Sequence, residues 1–176
     1  MSRHLTDYHI VPAGAIIRIN LAWEPSLDAL RKHLHELTHH VFLDIPIGRK
    51  KPPSHTYHMD EILDICNTYN NVRYLGISQV ETSEQLMSWV VKTSDNINIV
   101  PKIESMVGIN NIHEICKVLR KPKIIMLDHD DLFQDLCALY QHPEHMYEDW
   151  ITPLIEKCDQ MNVMVLRTAG IVFINN

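Results

Sequence analysis

The chain has 176 residues, of which 45% are hydrophobic and 22% charged, a balance typical of a globular domain and not of a mainly disordered chain. A complete eight-stranded α/β barrel needs at least about 200 residues, so a full barrel is excluded. The formal net charge of −6 argues against a non-specific nucleic-acid binder, which needs a basic face.

Short apolar segments alternate with amphipathic segments along the chain. The short segments predict six strands, at residues 15–22, 41–47, 72–78, 96–104, 123–128 and 163–168. The amphipathic segments predict helices at residues 27–37, 59–69, 82–90, 111–119, 131–140 and 147–160. Two of these helices have candidate capping pairs, Thr82 with Gln85 and Asn111 with Glu114. Strands separated by helices indicate a parallel sheet of βα units, either open or curled.

Three further features bear on domain organisation and compartment. No stretch approaches the roughly 18 apolar residues of a membrane span, and the first residues lack the apolar core of a signal peptide. The four cysteines form no C-x-x-C pair, and we expect them to be buried and reduced. We therefore expect one domain over residues 1–176, located in the cytoplasm, without a membrane or nucleic-acid partner.

Polar side chains follow the ends of the predicted strands, where active groups of parallel α/β sheets gather. Carboxylates from two strand ends can hold Mg²⁺ or Mn²⁺. A neighbouring lysine and arginine suit an anionic substrate or a developing enolate. The polar residues at these positions are Arg18, Asn20, Asp44, Ser78, Gln79, Lys102, Glu104, Asp128, His129, Asp130, Asp131, Arg167 and Thr168.

Several segments resemble one known family. PKIESMVGINNIHEI at 101–115 resembles the KIE-x-x-x-G-x-x-N-x-x-E-I block of pyruvate kinase, and MLDHDDL at 126–132 resembles its MVARGDL. Weaker collinear matches are AGAIIRINLAW, VFLDIPIGRK, LGISQVETSEQL and ITPLIEKCDQMNVMVLRTAG, so that the resemblance covers most of residues 12–170. The related HpcH/HpaI aldolase and citrate lyase branch shares this barrel and is the near alternative. The resemblance implies an incomplete TIM barrel of about six strands that belongs to the pyruvate kinase-like superfamily.

The resemblance also implies a phosphoenolpyruvate- or pyruvate-type site. Glu104 and Asp131 match the ligands of a divalent cation, Mg²⁺ or Mn²⁺. Lys102 matches the lysine beside the transferring or enolate oxygen. Thr168 matches the threonine near the enolate carbon, where protonation occurs.

Three more matching residues concern anions and monovalent cations. Arg18 matches the arginine that meets phosphate, while Asn20 and Asp44 match two ligands of a monovalent cation. The chain departs from the family close to each of these two ligands. Ala22, near Asn20, replaces a serine, and Ile45, next to Asp44, replaces a threonine. These departures argue against a working monovalent-cation site.

The resemblance and its gaps together suggest a function. The nucleotide-closing lid, the first strand with its helix, the eighth strand and the C-terminal regulatory domain of pyruvate kinase have no counterpart, so ordinary ADP phosphorylation is not expected. We expect a metal-dependent lyase, aldolase or transferase that acts on phosphoenolpyruvate, pyruvate or a similar small enolisable carboxylate through an enolate. An incomplete barrel leaves sheet edges to be covered, which favours a homodimer.

The sequence is also compatible with two other functions. A truncated barrel is also compatible with a non-catalytic module that senses a ligand or joins a larger complex. In addition, His35-Glu36-Leu37-Thr38-His39 spells H-E-x-x-H, the signature of zinc hydrolases, although the chain offers no evident third ligand.

Overall fold

The computed structural model describes residue 12 and residues 14–48, 52–53, 55–140 and 146–167. The strands are β1 (Ile16–Asn20), β2 (His40–Ile45), β3 (Val72–Ile77), β4 (Asn98–Ile103), β5 (Lys123–Leu127) and β6 (Val163–Arg167). The helices are α1 (Leu27–Glu36), α2 (Met59–Thr68), α3 (Glu84–Lys92), α4 (Met106–Asn110), α5 (Ile112–Lys117), α6 (His129–Leu139) and α7 (Tyr147–Gln160), with a single 3₁₀ turn at Leu21–Trp23.

The six strands form one parallel sheet in chain order, from β1 at one edge to β6 at the other. The sheet curls into a half barrel with helices between successive strands. The predicted α/β fold, an incomplete barrel of about six strands, is therefore confirmed. Since every strand is parallel to the next, the carboxyl ends of all six lie at the same edge of the sheet.

Two apolar clusters lie on the two faces of the sheet. The larger one packs the helices onto the strands through residues such as Leu34, Leu43 and Ile115. The smaller one joins Phe42 on β2, Val100 on β4, and Ile124 and Met126 on β5. β2 is therefore buried on both faces from its second residue onward, which is why it reads as a continuous apolar run and not as an alternating one.

Two helix starts differ in detail from the sequence prediction. The Gln85 side chain accepts hydrogen bonds from the backbone N–H groups of Glu81 and Thr82, at 2.6 and 2.9 Å, but the Thr82 hydroxyl does not cap the helix. Asn111 makes no capping bond either. Its amide instead donates to the Glu81 carbonyl oxygen at 2.9 Å, so this side chain holds two loops together.

The edges of the sheet bear on the expected partners. Within the described residues, β1 pairs only with β2, and β6 pairs only with β5. Ile16 on β1 and Met164 on β6 are 46% and 58% exposed. The homodimer remains a prediction. In the described part of the chain, none of the helices is long and apolar enough to span a membrane.

Candidate functional site

A cavity of about 610 Å³ opens at the carboxyl ends of the strands. Asn20 and Asp44 reach it from the ends of β1 and β2, Lys102 from β4, and Asp131 from the first turn of α6. In the sequence, Asn20 and Asp131 are 111 positions apart. The parallel topology brings them together, as the strand-end positions predict.

Lys102 is the central charged group of the cavity. Its Nζ lies 2.6 Å from Glu104 Oε1, 3.5 Å from Asp128 Oδ2 and 3.8 Å from Asp44 Oδ1. The ammonium also donates a hydrogen bond to Ser78 Oγ at 3.3 Å. Lys102 is buried, and a buried ammonium is stable only when it is paired.

The pKa of Lys102 is raised by its surroundings. Burial by itself lowers the pKa of an ammonium, but the carboxylates of Asp44, Glu104 and Asp128 more than offset this effect. Lys102 is consequently a fixed positive charge at neutral pH. This suits a group that stabilises a developing anion and not one that abstracts a proton.

Glu104 is the buried carboxylate of the site. Its Oε2 accepts a hydrogen bond from the Gln79 backbone N–H at 2.9 Å. Its Oε1 is buried and accepts no hydrogen bond of ordinary geometry, although the Lys102 ammonium is close. Burial raises the pKa of Glu104; the Lys102 charge and the Gln79 N–H offset part of the rise, and Asp131 adds to it. A carboxylate in this setting is stabilised further by a second cation.

Three carboxylates converge beside Lys102. One oxygen from each of Glu104, Asp128 and Asp131 lies within 4.8 Å of the other two. Glu104 and the exposed Asp131 line the cavity, and the Asp128 side chain beside them is 13% exposed. Three carboxylates, one of them with a buried oxygen that accepts no hydrogen bond of ordinary geometry, fit a hard divalent cation such as Mg²⁺ or Mn²⁺, which also keeps positions open for substrate oxygens. We call these three residues the acidic triad.

Asp128 is the member of the triad that the resemblance does not assign, because the family has alanine at this position. The sequence places it after a strand beside Asp130 and Asp131, but position alone does not say which of the three carboxylates turns toward Glu104. The structure brings Asp128 and Asp131 to Glu104, while Asp130 lies at a separate surface hollow with His129.

The residues that the resemblance assigns to β1 and β2 are engaged with one another. Arg18 forms an ion pair with Asp44, with Nε 3.1 Å from Oδ2 and Nη2 in contact with the same oxygen. The Asn20 side chain accepts a hydrogen bond from the Ala22 N–H at 2.9 Å. Asp44 and Asn20 line the cavity, whereas Arg18 does not. The roles of these three residues stay predictions.

The end of β6 contributes less to the described site. Thr168 lies outside the described residues, as do the basic residues 49–51. His129, the first residue of α6, contacts the Tyr147 hydroxyl through Nδ1. Burial and the nearby Arg167 lower the pKa of His129, so its imidazole is neutral at neutral pH.

The H-E-x-x-H motif does not have the geometry that its signature requires. α1 ends at Glu36, and the chain is extended at Leu37, so His35 and His39 do not occupy one helical face. Among the described residues, the acidic triad is the one group of three or more ligand side chains that could hold a metal, and neither histidine belongs to it. The zinc hydrolase interpretation therefore has no structural support.

Comparisons with known proteins identify the fold. No protein-family model matches the sequence, and no curated protein matches it. Among solved structures, Cryptosporidium parvum pyruvate kinase in complex with ADP is 22% identical over 61% of this chain, with a TM-score of 0.48. The chain spans 22% of that protein.

A second solved structure covers more of the chain. RipC from Yersinia pestis is 16% identical over 86% of this chain and 68% of its own, with a TM-score of 0.59. In all, 105 solved chains match, and likeness at such low identity establishes a shared fold without a shared activity. The chain thus has the curled, parallel α/β architecture of a common class of barrels.

Proposed function

We propose that this chain is a divalent-metal-dependent enzyme that acts on phosphoenolpyruvate, pyruvate or a similar enolisable 2-oxo acid through an enolate. The observation that carries the proposal is the acidic triad beside the buried Lys102 ammonium at the carboxyl ends of the strands. Carboxylates alone would suit any cation. The added fixed positive charge suits a substrate oxygen that becomes negative during the reaction.

Glu104, Asp128 and Asp131 are the residues that would hold the metal. Bound there, Mg²⁺ or Mn²⁺ would supply Lewis-acid charge to the substrate oxygens. The buried Glu104 would be the most firmly placed ligand, because the Gln79 N–H holds its other oxygen. Asp131, in the exposed first turn of α6, would lie on the side from which substrate enters.

Lys102 would act on the substrate directly. Its ammonium is a permanent donor, so it can hydrogen-bond an enolate oxygen without giving up its proton. Asp44 and Ser78 also hold the ammonium in place, at 3.8 and 3.3 Å from its nitrogen. Under this proposal, Thr168 would help to deliver the proton to the enolate carbon, as the resemblance implies.

The sequence resemblance supports the same assignment independently of the contacts. Lys102 and Glu104 belong to the PKIESMVGINNIHEI block, and Asp131 belongs to MLDHDDL. Two separate segments that resemble one family meet in one cavity, so the pattern and the geometry agree. The reaction type, whether lyase, aldolase or transferase, is left open by these residues.

The first test is calorimetric binding of oxalate, a stable mimic of the pyruvate enolate, with Mg²⁺, with Mn²⁺ and with chelator. We expect binding only with metal, and a loss of at least about tenfold in affinity in Asp131→Asn. Glu36→Gln is the matched control, since Glu36 is an exposed acid on α1 and also the would-be base of the H-E-x-x-H motif. Absence of oxalate binding under every metal condition would overturn the proposal and favour a non-catalytic module.

A further inference from the structure

The cavity extends well beyond the acidic triad. Asp131, Gln134, Asp135 and Ala138 line it from one face of α6, and this face runs for about 10 Å along the helix axis. A volume of about 610 Å³ is that of a site for a ligand much larger than oxalate or pyruvate. The proposed chemistry at the triad therefore leaves room for a second part of the substrate.

We call the extended part the distal wing, and its lining is Glu81, Gln85, Ser105, Gln134 and Asp135. Protein groups already use the backbone donors there. Asp135 Oδ2 accepts a hydrogen bond from the Met106 N–H at 2.9 Å. Ser105 Oγ accepts one from the Gly108 N–H at 3.2 Å and donates to Glu81 Oε1 at 2.7 Å. Two backbone donors at the start of α4 are therefore already satisfied by the side chains of Asp135 and Ser105.

The charge of the cavity is strongly one-sided. Among the described residues that line it, Lys102 is the single cation. It lies against carboxylates on the triad side. The acidic residues of the lining are Asp44, Glu81, Glu104, Asp131 and Asp135. A metal at the triad would offset the charge at the near end of the cavity only, so the distal wing would keep its negative potential.

We infer a further property of the substrate, and this inference rests on the proposed function. The part of it that lies in the distal wing carries hydrogen-bond donors and no second negative charge. Ionised carboxylates only accept hydrogen bonds, so Glu81 and Asp135 match a hydroxyl, an amide N–H or an ammonium. A second carboxylate or a phosphate would meet like charges, and the Ser105 hydroxyl and the Met106 and Gly108 N–H groups are already bonded within the protein. The substrate class is an enolisable 2-oxo acid with a non-anionic, polar tail.

The test compares two stable pyruvate mimics that differ only at the tail. The probes are N-(2-carbamoylethyl)oxamate, whose tail is a neutral amide, and N-(2-carboxyethyl)oxamate, whose tail is a carboxylate of the same shape. Calorimetry with Mg²⁺ measures both probes, with oxalate in parallel. We expect the amide probe to bind at least about tenfold more tightly than the carboxylate probe.

The variants show whether the distal wing causes the difference. Glu81→Gln together with Asp135→Asn keeps the acceptor atoms but removes two charges. In this double variant we expect the ratio between the probes to fall below about threefold. Glu36→Gln together with Asp149→Asn removes two exposed charges outside the cavity and should keep the full ratio.

Each other result has a defined meaning. Equal or tighter binding of the carboxylate probe overturns the inference and leaves the proposed function intact if oxalate binds. Oxalate binding without either tailed probe also overturns it, because the wing would then be closed to a substrate at the triad. If oxalate itself fails to bind with metal, the proposed function falls, and this inference falls with it.

Discussion

Gly48, in the loop after β2, lies directly against the side chain of Gln79, in the loop after β3. A Cβ atom on Gly48 would stand 2.3 Å from Gln79 Oε1. Both residues have left-handed backbone conformations, with φ of +72° and +54°. Because the Gln79 N–H also binds Glu104 at 2.9 Å, this contact connects a loop at the mouth of the cavity to a proposed metal ligand.

Gly48→Ala should therefore weaken metal binding. An alanine at φ +72° is strained and should cost about 1 kcal/mol of stability. The new methyl group would also push the Gln79 side chain out of its position, and we expect metal affinity to fall roughly tenfold through Glu104. Mn²⁺ titration followed by electron paramagnetic resonance measures this. Gly14→Ala is the matched control, since nothing lies within 4 Å of the added atom; equal Mn²⁺ affinity in both variants would contradict the prediction.

Lys102→Met should destabilise the protein in a metal-dependent way. The substitution removes the cation beside Glu104 and Asp128 and leaves Asp44 with Arg18 as its partner. We expect it to cost about 3–5 kcal/mol of unfolding free energy when a chelator removes the metal. Since a divalent cation at the acidic triad would replace the lost positive charge, added Mg²⁺ should restore part of the lost unfolding free energy. Urea unfolding with chelator and with Mg²⁺ measures the difference, and an identical loss under both conditions would argue against a metal at the triad.

The cysteines should differ in reactivity. Burial raises the pKa of Cys66 to about 12. The hydrogen bond with Cys158, together with burial, raises the pKa of Cys116. Cys137 is the exposed one of the four. A thiol-reactive dye at mildly alkaline pH should therefore label one cysteine per native chain and all four after unfolding. More than one fast-reacting thiol, or protection of Cys137 in the native chain, would count against this packing.

The raised pKa of Cys66 also sets a direction for stability against pH. Its contribution to stability is fully present below the ordinary thiol pKa of 9.0 and is lost as pH rises toward about 12. Cys66→Ala should remove this part of the alkaline loss. Urea unfolding across that pH range measures the slope, and the same slope in the variant and the parent chain would contradict the assignment.

Gly76 should be intolerant of any side chain. A Cβ atom there would lie 2.5 Å from the Phe42 ring, which is buried in the smaller apolar cluster and stacks on Tyr74. Gly76→Ala should destabilise the protein by about 1–3 kcal/mol, because the buried Phe42 ring must shift to admit the methyl group. Chemical denaturation measures the loss. Again Gly14→Ala is the control. Equal stability of the two variants would mean that the smaller apolar cluster can admit a methyl group at Gly76 without cost.

The sheet edges lead to a prediction about assembly. β1 and β6 have no second strand partner among the described residues, and each carries an exposed apolar side chain, Ile16 and Met164. We expect a homodimer that covers one of these edges. Light scattering should give a mass near twice the chain mass of 20.5 kDa, and Met164→Asp or Ile16→Asp should shift it toward the monomer. A monomer at all concentrations would remove this proposal.

The strand-end pattern predicted much of the site but not its long-range contacts. Lys102 and Glu104 share a face because they are two residues apart at the end of a strand, so their proximity follows from sequence. The pairing of Arg18 with Asp44 and the cap that Asp135 provides for α4 join residues 26 and 29 positions apart. No local pattern signals such contacts, because they depend on how neighbouring strands and helices are aligned.

Local periodicity by itself determined the class of fold. Apolar runs of strand length between amphipathic helices can bury their side chains only in a parallel sheet covered by helices. Only the tertiary structure decided that the sheet curls and that Asp128 joins Glu104 and Asp131. The reason is physical: burial periodicity is set within a few residues, whereas the convergence of charges at one cavity depends on strand register and curvature across the whole sheet.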